Sequence, residues 1–337
     1  MKTIVCEKPN QFAYKNVEVP LFQSGNALVR IKRIGICGTD LHAYKGNQPF
    51  FTYPRVLGHE LSGEVEQIGN NNFGLKKGDS VSVIPYLECG ECIACKRGKS
   101  NCCTNMQVMG VHVDGGMAEI LSVPMKNLIK TNEISFDQAA ILEPLSIGAH
   151  AVRRSEIKEN EYALVIGAGP IGLGVMALAK KRGAKVIALD INEERLDFCR
   201  KWAKVDHTVN VKGNVINSLM EITSGDMPTV VFDATGNVMS MSNSFDYVSH
   251  GGKLIFVGLV KDDITFSDPE FHKKELTLLA SRNATKEDFQ VVIDAVKNGY
   301  VDASTFITHR TTFDQMIEVY ESWYNPEEKV IKAIVEL

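Results

Sequence analysis

Five of the chain's eight cysteines fall within fifteen residues, Cys89, Cys92, Cys95, Cys102 and Cys103. In a reducing compartment, thiols clustered this tightly suggest metal binding or catalysis rather than a disulfide framework. Cys89, Cys92, Cys95 and Cys103 read C-x2-C-x2-C-x7-C. Four thiolates on one short lobe suit a closed tetrahedral zinc site that stabilises and leaves no position for a substrate. Spacing alone leaves Cys102 and Cys103 as alternatives for the fourth ligand. An iron–sulfur cluster is the rival, but the bacterial ferredoxin run has three residues before its last cysteine and a proline after it. Here the gap is seven and Thr104 follows. A nucleic-acid zinc ribbon is a further rival, but no basic stripe surrounds the lobe. Cys6 and Cys199 stand alone and read as buried small hydrophobes.

A second set is dispersed. Cys37 sits in GICGTDLH, His59 and Glu60 in GHE, and Glu143 in LEP. A soft thiolate, an imidazole and carboxylates suit one zinc with mixed ligands, and catalytic zinc sites use such sets with one position free. Each residue alone also has a plain reading: a buried thiol, a core histidine, a helix-start carboxylate. The residue types by themselves do not join them into one site.

The third chemical signal is GAGPIG, which places Gly167, Gly169 and Gly172 in the G-x-G-x-x-G pattern with Pro170 and Ile171 between them. It ends an apolar strand pattern and opens a helical one, the context that the motif requires. Gly167 permits a tight turn, Gly169 lets the backbone approach a pyrophosphate, and Gly172 allows close helix–sheet packing. The helix N-terminus then offers free N–H groups to phosphates. Asp190 ends the next strand, 18 residues after Gly172. An acid there hydrogen-bonds ribose hydroxyls and disfavours a 2′-phosphate, so NAD is expected over NADP, although Arg195 nearby is of a type that serves NADP.

These residues need two kinds of scaffold. Residues 1–147 carry short β-branched runs broken by glycine and proline, which predicts a mostly antiparallel β domain with the four-cysteine lobe at 86–104. From 148 to 284, six strand patterns alternate with helical stretches: YALVIGAG, KVIALD, HTVNV, TVVFDATG, KLIFVGL and ELTLLASR. That alternation predicts a doubly wound parallel sheet covered on both faces. The segment 285–337 has helical stretches, DFQVVIDAVKNG and FDQMIEVYESWY, and a strand-like KVIKAIVEL; it is too short for a domain and is expected to rejoin the first one. The 337 residues suit two domains. Composition excludes other classes: 37 basic against 41 acidic residues, net −4, argue against a nucleic-acid polycation. No apolar run approaches the roughly 20 residues of a membrane span. The opening MKTIVCEKPN turns polar too early for a signal peptide, so a cytoplasmic protein is expected.

The ordered set GICGTDLH, PRVLGHELSGEV, Gly78–Asp79, the four-cysteine lobe, DGGMAE, EPLSIGAHA and GAGPIG resembles the zinc-dependent medium-chain dehydrogenases, the alcohol, sorbitol and threonine dehydrogenase family, over essentially the whole chain. The resemblance implies an α/β enzyme with a β-rich GroES-like catalytic domain and a Rossmann NAD-binding domain. It places Cys37, His59, Glu60 and Glu143 at the catalytic zinc, with either glutamate as ligand, and Cys103 at the fourth structural position. Thr39 and His42 match the proton relay, and Asp40 the acid after that threonine. Ile171, Val257, Gly258, Ser281 and Arg282 match cofactor contacts. A Glu-Pro at Glu143, where alcohol dehydrogenases have cysteine, looks like the polyol and threonine branch. GTDLHAYKGNQPFFTYPRVLGHE, IPYLECGECIACKRGKSNCC and FSDPEFHKKELTLLASRNAT are similar to bacterial L-galactonate and L-gulonate 5-dehydrogenases, while DFCRKWAKVDHTVNVKGN diverges. A sugar-acid substrate needs a cation for its carboxylate, with Arg55, Arg282, Lys273 and Lys274 as candidates. The alternatives are a polyol or threonine substrate, a zinc-free quinone reductase, and a non-enzymatic protein on the same scaffold. A homodimer or homotetramer is implied, with no nucleic-acid or membrane partner.

Overall fold

The computed structural model describes residues 1–48 and 51–337. Pro49 and Phe50, within the GTDLHAYKGNQPFFTYPRVLGHE segment, lie outside the described residues. The chain forms two compact units, Met1–Glu143 with Ala303–Leu337, and Pro144–Asp302.

The first unit is built on a seven-stranded sheet. Its path runs Ile307–Thr312, Lys332–Glu336, Asn26–Ile36, Glu60–Ile68, Ser80–Val83, Leu128–Lys130, and Ile120–Pro124 pairs with Asn26–Ile36. All pairings are antiparallel except that of Ile307–Thr312 with Lys332–Glu336. The strand Lys332–Glu336 therefore lies inside the sheet, between Ile307–Thr312 and Asn26–Ile36. A core of Ile4, Val29, Ile31, Leu57, Leu61 and Met117, each no more than 1% exposed, packs on this framework.

The second unit holds a six-stranded, all-parallel sheet. Its order is His207–Asn210, Lys185–Asp190, Tyr162–Ile166, Val230–Asp233, Lys253–Phe256, Thr277–Ala280. In chain order these strands stand 3-2-1-4-5-6, the dinucleotide-binding topology, and the order reverses between Tyr162–Ile166 and Val230–Asp233. Tyr162–Ile166 is buried at four consecutive positions, as a strand covered on both faces must be. The six strands match the six apolar runs in the sequence.

Both unit boundaries differ from the expected 147/148 and 284/285. The first falls inside the opening turn of the helix Leu142–Ser155, because its body packs into the second unit: a Cβ on Gly148 would lie 2.8 Å from the backbone of Gly174. The second falls at 302/303, because the helix Lys286–Lys297 is held by the second unit. Its buried Asp288 lies 2.9 Å from His150 Nδ1 and 2.7 Å from Arg153 Nε, both on Leu142–Ser155. Only the remainder of the tail rejoins the first unit. Within it, FDQMIEVYESWY forms short 3-10 and α turns, Phe313–Gln315, Met316–Val319 and Tyr320–Tyr324, rather than one helix. Phe313, Met316, Tyr320 and Trp323 are its buried side chains, at a spacing that such turns supply.

Candidate metal centres and dinucleotide site

Among the described residues, two groups of at least three metal-donor side chains converge: Cys37, His59 and Glu60, and Cys89, Cys92, Cys95 and Cys103, with donor atoms within 4.8 Å of one another in each group.

The mixed group is assembled by Asp40, which is 1% exposed on the short helix Gly38–Tyr44. Its Oδ2 accepts the N–H of Cys37 at 3.0 Å, and its Oδ1 accepts the N–H of Gly58 at 3.2 Å. His59 Nδ1 lies 3.5 Å from the same Oδ1. One buried carboxylate thus ties the Cys37 turn to the GHE turn, where Gly58 has φ +92°, a conformation that favours glycine. Glu60 begins the strand Glu60–Ile68, and both its oxygens lie 2.7 Å from Lys332 Nζ. Glu143 falls outside the three-donor group. It is buried and accepts a hydrogen bond from the hydroxyl of Tyr86. Burial pushes its carboxyl up to about 7, against the pull of a positive His59. Thr39 is half-buried and His42 exposed on the helix that Cys37 opens.

This group fits a metal ion. A thiol, an imidazole and a carboxylate converge, and the buried Nδ1 of His59 has no hydrogen-bond partner. Buried acids crowd one place with Lys332 as their cation, and burying such charge is costly unless it is paired. Lys332 and Tyr86 escaped the sequence reading. Lys332 had a signal, a single cation inside the apolar run VIKAIV. Tyr86 had none.

The sulfur group lies on one short stretch, where Cys92 caps the turn Ile93–Lys96 and the small strand pair Tyr86–Leu87 with Gln107–Val108 closes the lobe. Cys103 is 2% exposed, whereas Cys102 is exposed and outside the group, so the geometry selects Cys103 as the fourth donor. Backbone N–H groups point at the sulfurs, from Cys89 and Asn105 to Cys103 at 3.3 Å and from Cys95 to Cys92 at 3.5 Å. The Cys95 N–H pulls the Cys92 thiol down to about 5. Partial burial, then the neighbouring Cys92, pushes Cys95 up to about 12. Four sulfurs with no carboxylate or imidazole suit a closed zinc site. Cys6 and Cys199 are fully buried, and burial lifts both to about 12.

In the second unit, Gly167 has φ +96°, and a Cβ on Gly172 would lie 1.8 Å from the Gly167 carbonyl oxygen. Gly169 caps the helix Pro170–Lys181, and Arg195 reaches to 3.9 Å from where its Cβ would stand. Asp190 accepts the N–H of Ala168 at 2.7 Å and that of Asn192 at 2.8 Å, which fixes its carboxylate at the strand end. A cavity of about 370 Å³ opens beside it, lined by Gly167, Asp190, Ile191, Val211, Asn237 and Met239 among others. Apolar walls with one acid at the rim suit a flat base and its ribose. Val257 and Gly258 donate to the Asp233 carbonyl at 2.8 and 3.0 Å, and Ser281 to that of Phe256 at 2.8 Å. These residues follow the carboxyl ends of neighbouring strands, where ligands of such sheets bind. Ile171 is half-buried and Arg282 exposed.

The cation candidates separate. Lys274 Nζ is committed to the carbonyls of Phe245, Asp246 and Val248 at 3.1–3.4 Å, so it is a structural tie. Lys273 pairs with Glu270 at 3.5 Å on the surface. Arg55 holds Asp114 at 3.3 Å and Thr52 Oγ1 at 2.9 Å.

Residues 23–133 match the alcohol dehydrogenase GroES-like domain, and residues 170–298 match the zinc-binding dehydrogenase family. The chain belongs to the zinc-dependent medium-chain dehydrogenases, oxidoreductases that act on CH–OH groups with a nicotinamide cofactor. It is 44% identical over 335 residues to L-galactonate-5-dehydrogenase of Escherichia coli (strain K12), which covers 99% of this chain and 98% of that protein. It is 32% identical to 2-dehydro-3-deoxy-L-galactonate 5-dehydrogenase of Pseudoalteromonas atlantica, covering 85% of this chain and 84% of that one. The crystal structure of a short chain alcohol dehydrogenase (rspB) from E. coli CFT073, complexed with NADH, superposes with a TM-score of 0.92 at 31% identity, covering 100% of this chain and 99% of that one.

Proposed function

We propose that the protein oxidises the C5 hydroxyl of a six-carbon sugar acid, L-galactonate or L-gulonate, to the ketone, with NAD as acceptor and two zinc ions per subunit. The convergence of Cys37, His59 and Glu60 within 4.8 Å carries this reading, and the similarity to sugar-acid 5-dehydrogenases supports its substrate. Zinc supplies Lewis acidity toward a hydroxyl there, and the nicotinamide supplies the hydride acceptor. The chain's residues do the rest. Cys37, His59 and Glu60 would hold the metal, with Glu143 as the further carboxylate of the set. Asp40 fixes the two turns that carry Cys37 and His59. Thr39 takes the proton of the substrate hydroxyl, and the exposed His42 passes it to solvent. Cys89, Cys92, Cys95 and Cys103 hold the structural ion.

In the cofactor unit, Asp190 binds the adenosine ribose and selects NAD over NADP. Gly167, Gly169, Pro170 and Gly172 receive the pyrophosphate, and Arg195 stands near the ribose as an arginine of the type that serves NADP. Ile171, Val257, Gly258, Ser281 and Arg282 make nicotinamide-side and phosphate-side contacts. The assembly is read as a cytoplasmic homodimer or homotetramer without nucleic-acid or membrane partners; light scattering on the purified protein measures its size.

One observation favours a neutral polyol instead: Lys274, a candidate for the substrate carboxylate, is committed to backbone carbonyls. A panel of L-galactonate, L-gulonate, sorbitol, xylitol and L-threonine, each with NAD and NADP at one pH, decides. Highest kcat/KM on the two hexonates with NAD is expected. Turnover of the polyols without turnover of the hexonates would contradict the substrate assignment.

A further inference from the structure

The helix Gly38–Tyr44 has seven residues and carries Thr39, Asp40 and His42. Helices shorter than roughly 12 residues are marginal in isolation, so tertiary contacts must hold this one. At its start, the Asp40 carboxylate accepts the N–H groups of Cys37 and Gly58. At its end, the carbonyls of Leu41, His42, Ala43 and Tyr44 lack partners within it. Each accepts an N–H from beyond the helix: Lys45 to Leu41 at 3.1 Å, Asn47 to His42 at 2.8 Å, Gly46 to Ala43 at 3.0 Å and Asn10 to Tyr44 at 2.7 Å.

Two of these carbonyls take a second donor. The hydroxyl of Tyr324 donates to Leu41, 283 residues away, and that of Tyr53 donates to Ala43. Tyr324 ends the short turn Tyr320–Tyr324 in the C-terminal tail, which returns to the first unit. Its ring is braced as well. Lys45 Nζ lies 4.8 Å from its centroid and 5.3 Å from that of Tyr44, whose own hydroxyl donates to Glu321 at 3.0 Å. Backbone N–H groups already satisfy Leu41 and Ala43, so the hydroxyls are not needed to avoid an unpaired carbonyl. What they add is a fixed position for the last turn.

Thr39 and His42 stand three residues apart, so they share one face of this helix. A misplacement of about 1 Å in a reacting geometry can cost on the order of 10²-fold in rate. We propose that Tyr324 is a positioning residue of the proton relay: its hydroxyl on the Leu41 carbonyl, with that of Tyr53 on Ala43, holds the helix where Thr39 takes the substrate proton and His42 releases it. The inference rests on the relay proposed above, and it gives the returning tail a task besides packing.

The test uses full-length, zinc-loaded Tyr324→Phe, which keeps the ring and removes only the donor. Amide hydrogen exchange in residues 38–47 is expected to quicken about fivefold, the loss of one hydrogen bond. The thermal melt should move by no more than about 4 °C. With NAD and the best substrate of the panel above, kcat should fall about tenfold while KM changes by less than about twofold. The solvent deuterium isotope effect on kcat should rise as proton release becomes limiting. On a His42→Ala background Tyr324→Phe should have no further effect on kcat, since both act on one path. Tyr53→Phe should repeat the pattern, and it carries the comparison if Tyr324→Phe does not fold. Wild-type exchange or wild-type kcat in both tyrosine variants, or losses that multiply in the double variant, would overturn this inference alone. Wild-type turnover in His42→Ala would overturn the relay and this inference with it.

Discussion

The two donor clusters of the first unit are supplied by the chain in opposite ways. Four sulfurs come from fifteen consecutive residues, bound into one lobe by two short helical turns, Ile93–Lys96 and Ser100–Cys102, and a pair of two-residue strands. Cys37 comes from one segment and the adjacent His59 and Glu60 from another, and the buried groups around them, Tyr86, Glu143 and Lys332, from further ones. The sulfur lobe consists of like ligands oriented by their own backbone N–H groups. The mixed cluster depends on sheet register, on the Asp40 bracket and on a lysine 272 residues from its partner. A site closed by local geometry stabilises a fold. A site assembled across a sheet leaves unlike donors and adjustable neighbours, the equipment of catalysis.

Cys37→Ser should break that contrast most visibly. Turnover is expected to fall on the order of 10³-fold while the protein stays folded, because the lost interaction acts on the transition state; steady-state kinetics beside a thermal melt measure both. Cys103→Ser should show the converse, a loss of roughly 2–4 kcal/mol of stability through loss of its metal. In urea titrations of both variants, Cys102→Ser should lie within about 0.5 kcal/mol of wild type, as an exposed thiol outside the cluster.

Other residues sharpen the comparison. A polar cluster in the second unit is not one of the groups of three or more metal donors that converge among the described residues: there Asp288 is held by His150 and Arg153. Although burial opposes it, hydrogen bonds from His150 and Arg153 hold the Asp288 carboxyl well below the usual carboxylate range. A depressed acid contributes stability that is fully present above its unfolded pKa of about 3.9 and is lost as pH falls further. Asp288→Asn should therefore cost about 3 kcal/mol at pH 7 and progressively less in acid, and chelators should not alter the difference. Smaller again is Gly35→Ala, expected to cost about 1–3 kcal/mol by overpacking and to lower turnover by displacing Glu60. Equal activity in Gly35→Ala would mean that the placement of Glu60 is not critical.

What the sequence disclosed follows the same division. The sulfur lobe and the Gly167–Gly172 turn were legible because their chemistry is written in short spacing. The inner parallel strands were legible because burial on both faces makes Tyr162–Ile166, Lys185–Asp190 and Val230–Asp233 nearly continuous apolar runs. The edge strands His207–Asn210 and Thr277–Ala280 are more exposed and were placed by the alternation of strand and helix patterns. The mixed cluster emerged only through resemblance to a family, since no spacing rule links residue 37 to residue 60 or 143. Lys332 was missed because its meaning lies in the pairing of Gly35 with both Glu60 and Ile334. The domain limits shifted for a similar reason. The helix Lys286–Lys297 is amphipathic wherever it docks, and the ion pairs of Asp288 with residues more than 130 positions away assign it to the second unit.

The central claim is that one chain carries two metal centres with separate tasks, and the zinc content per subunit tests it most directly. Wild-type protein should hold two zinc ions per subunit and Cys37→Ser protein one, with the thermal melt of the variant close to that of wild type. One zinc or fewer in the wild type, or two retained in Cys37→Ser, would contradict the account.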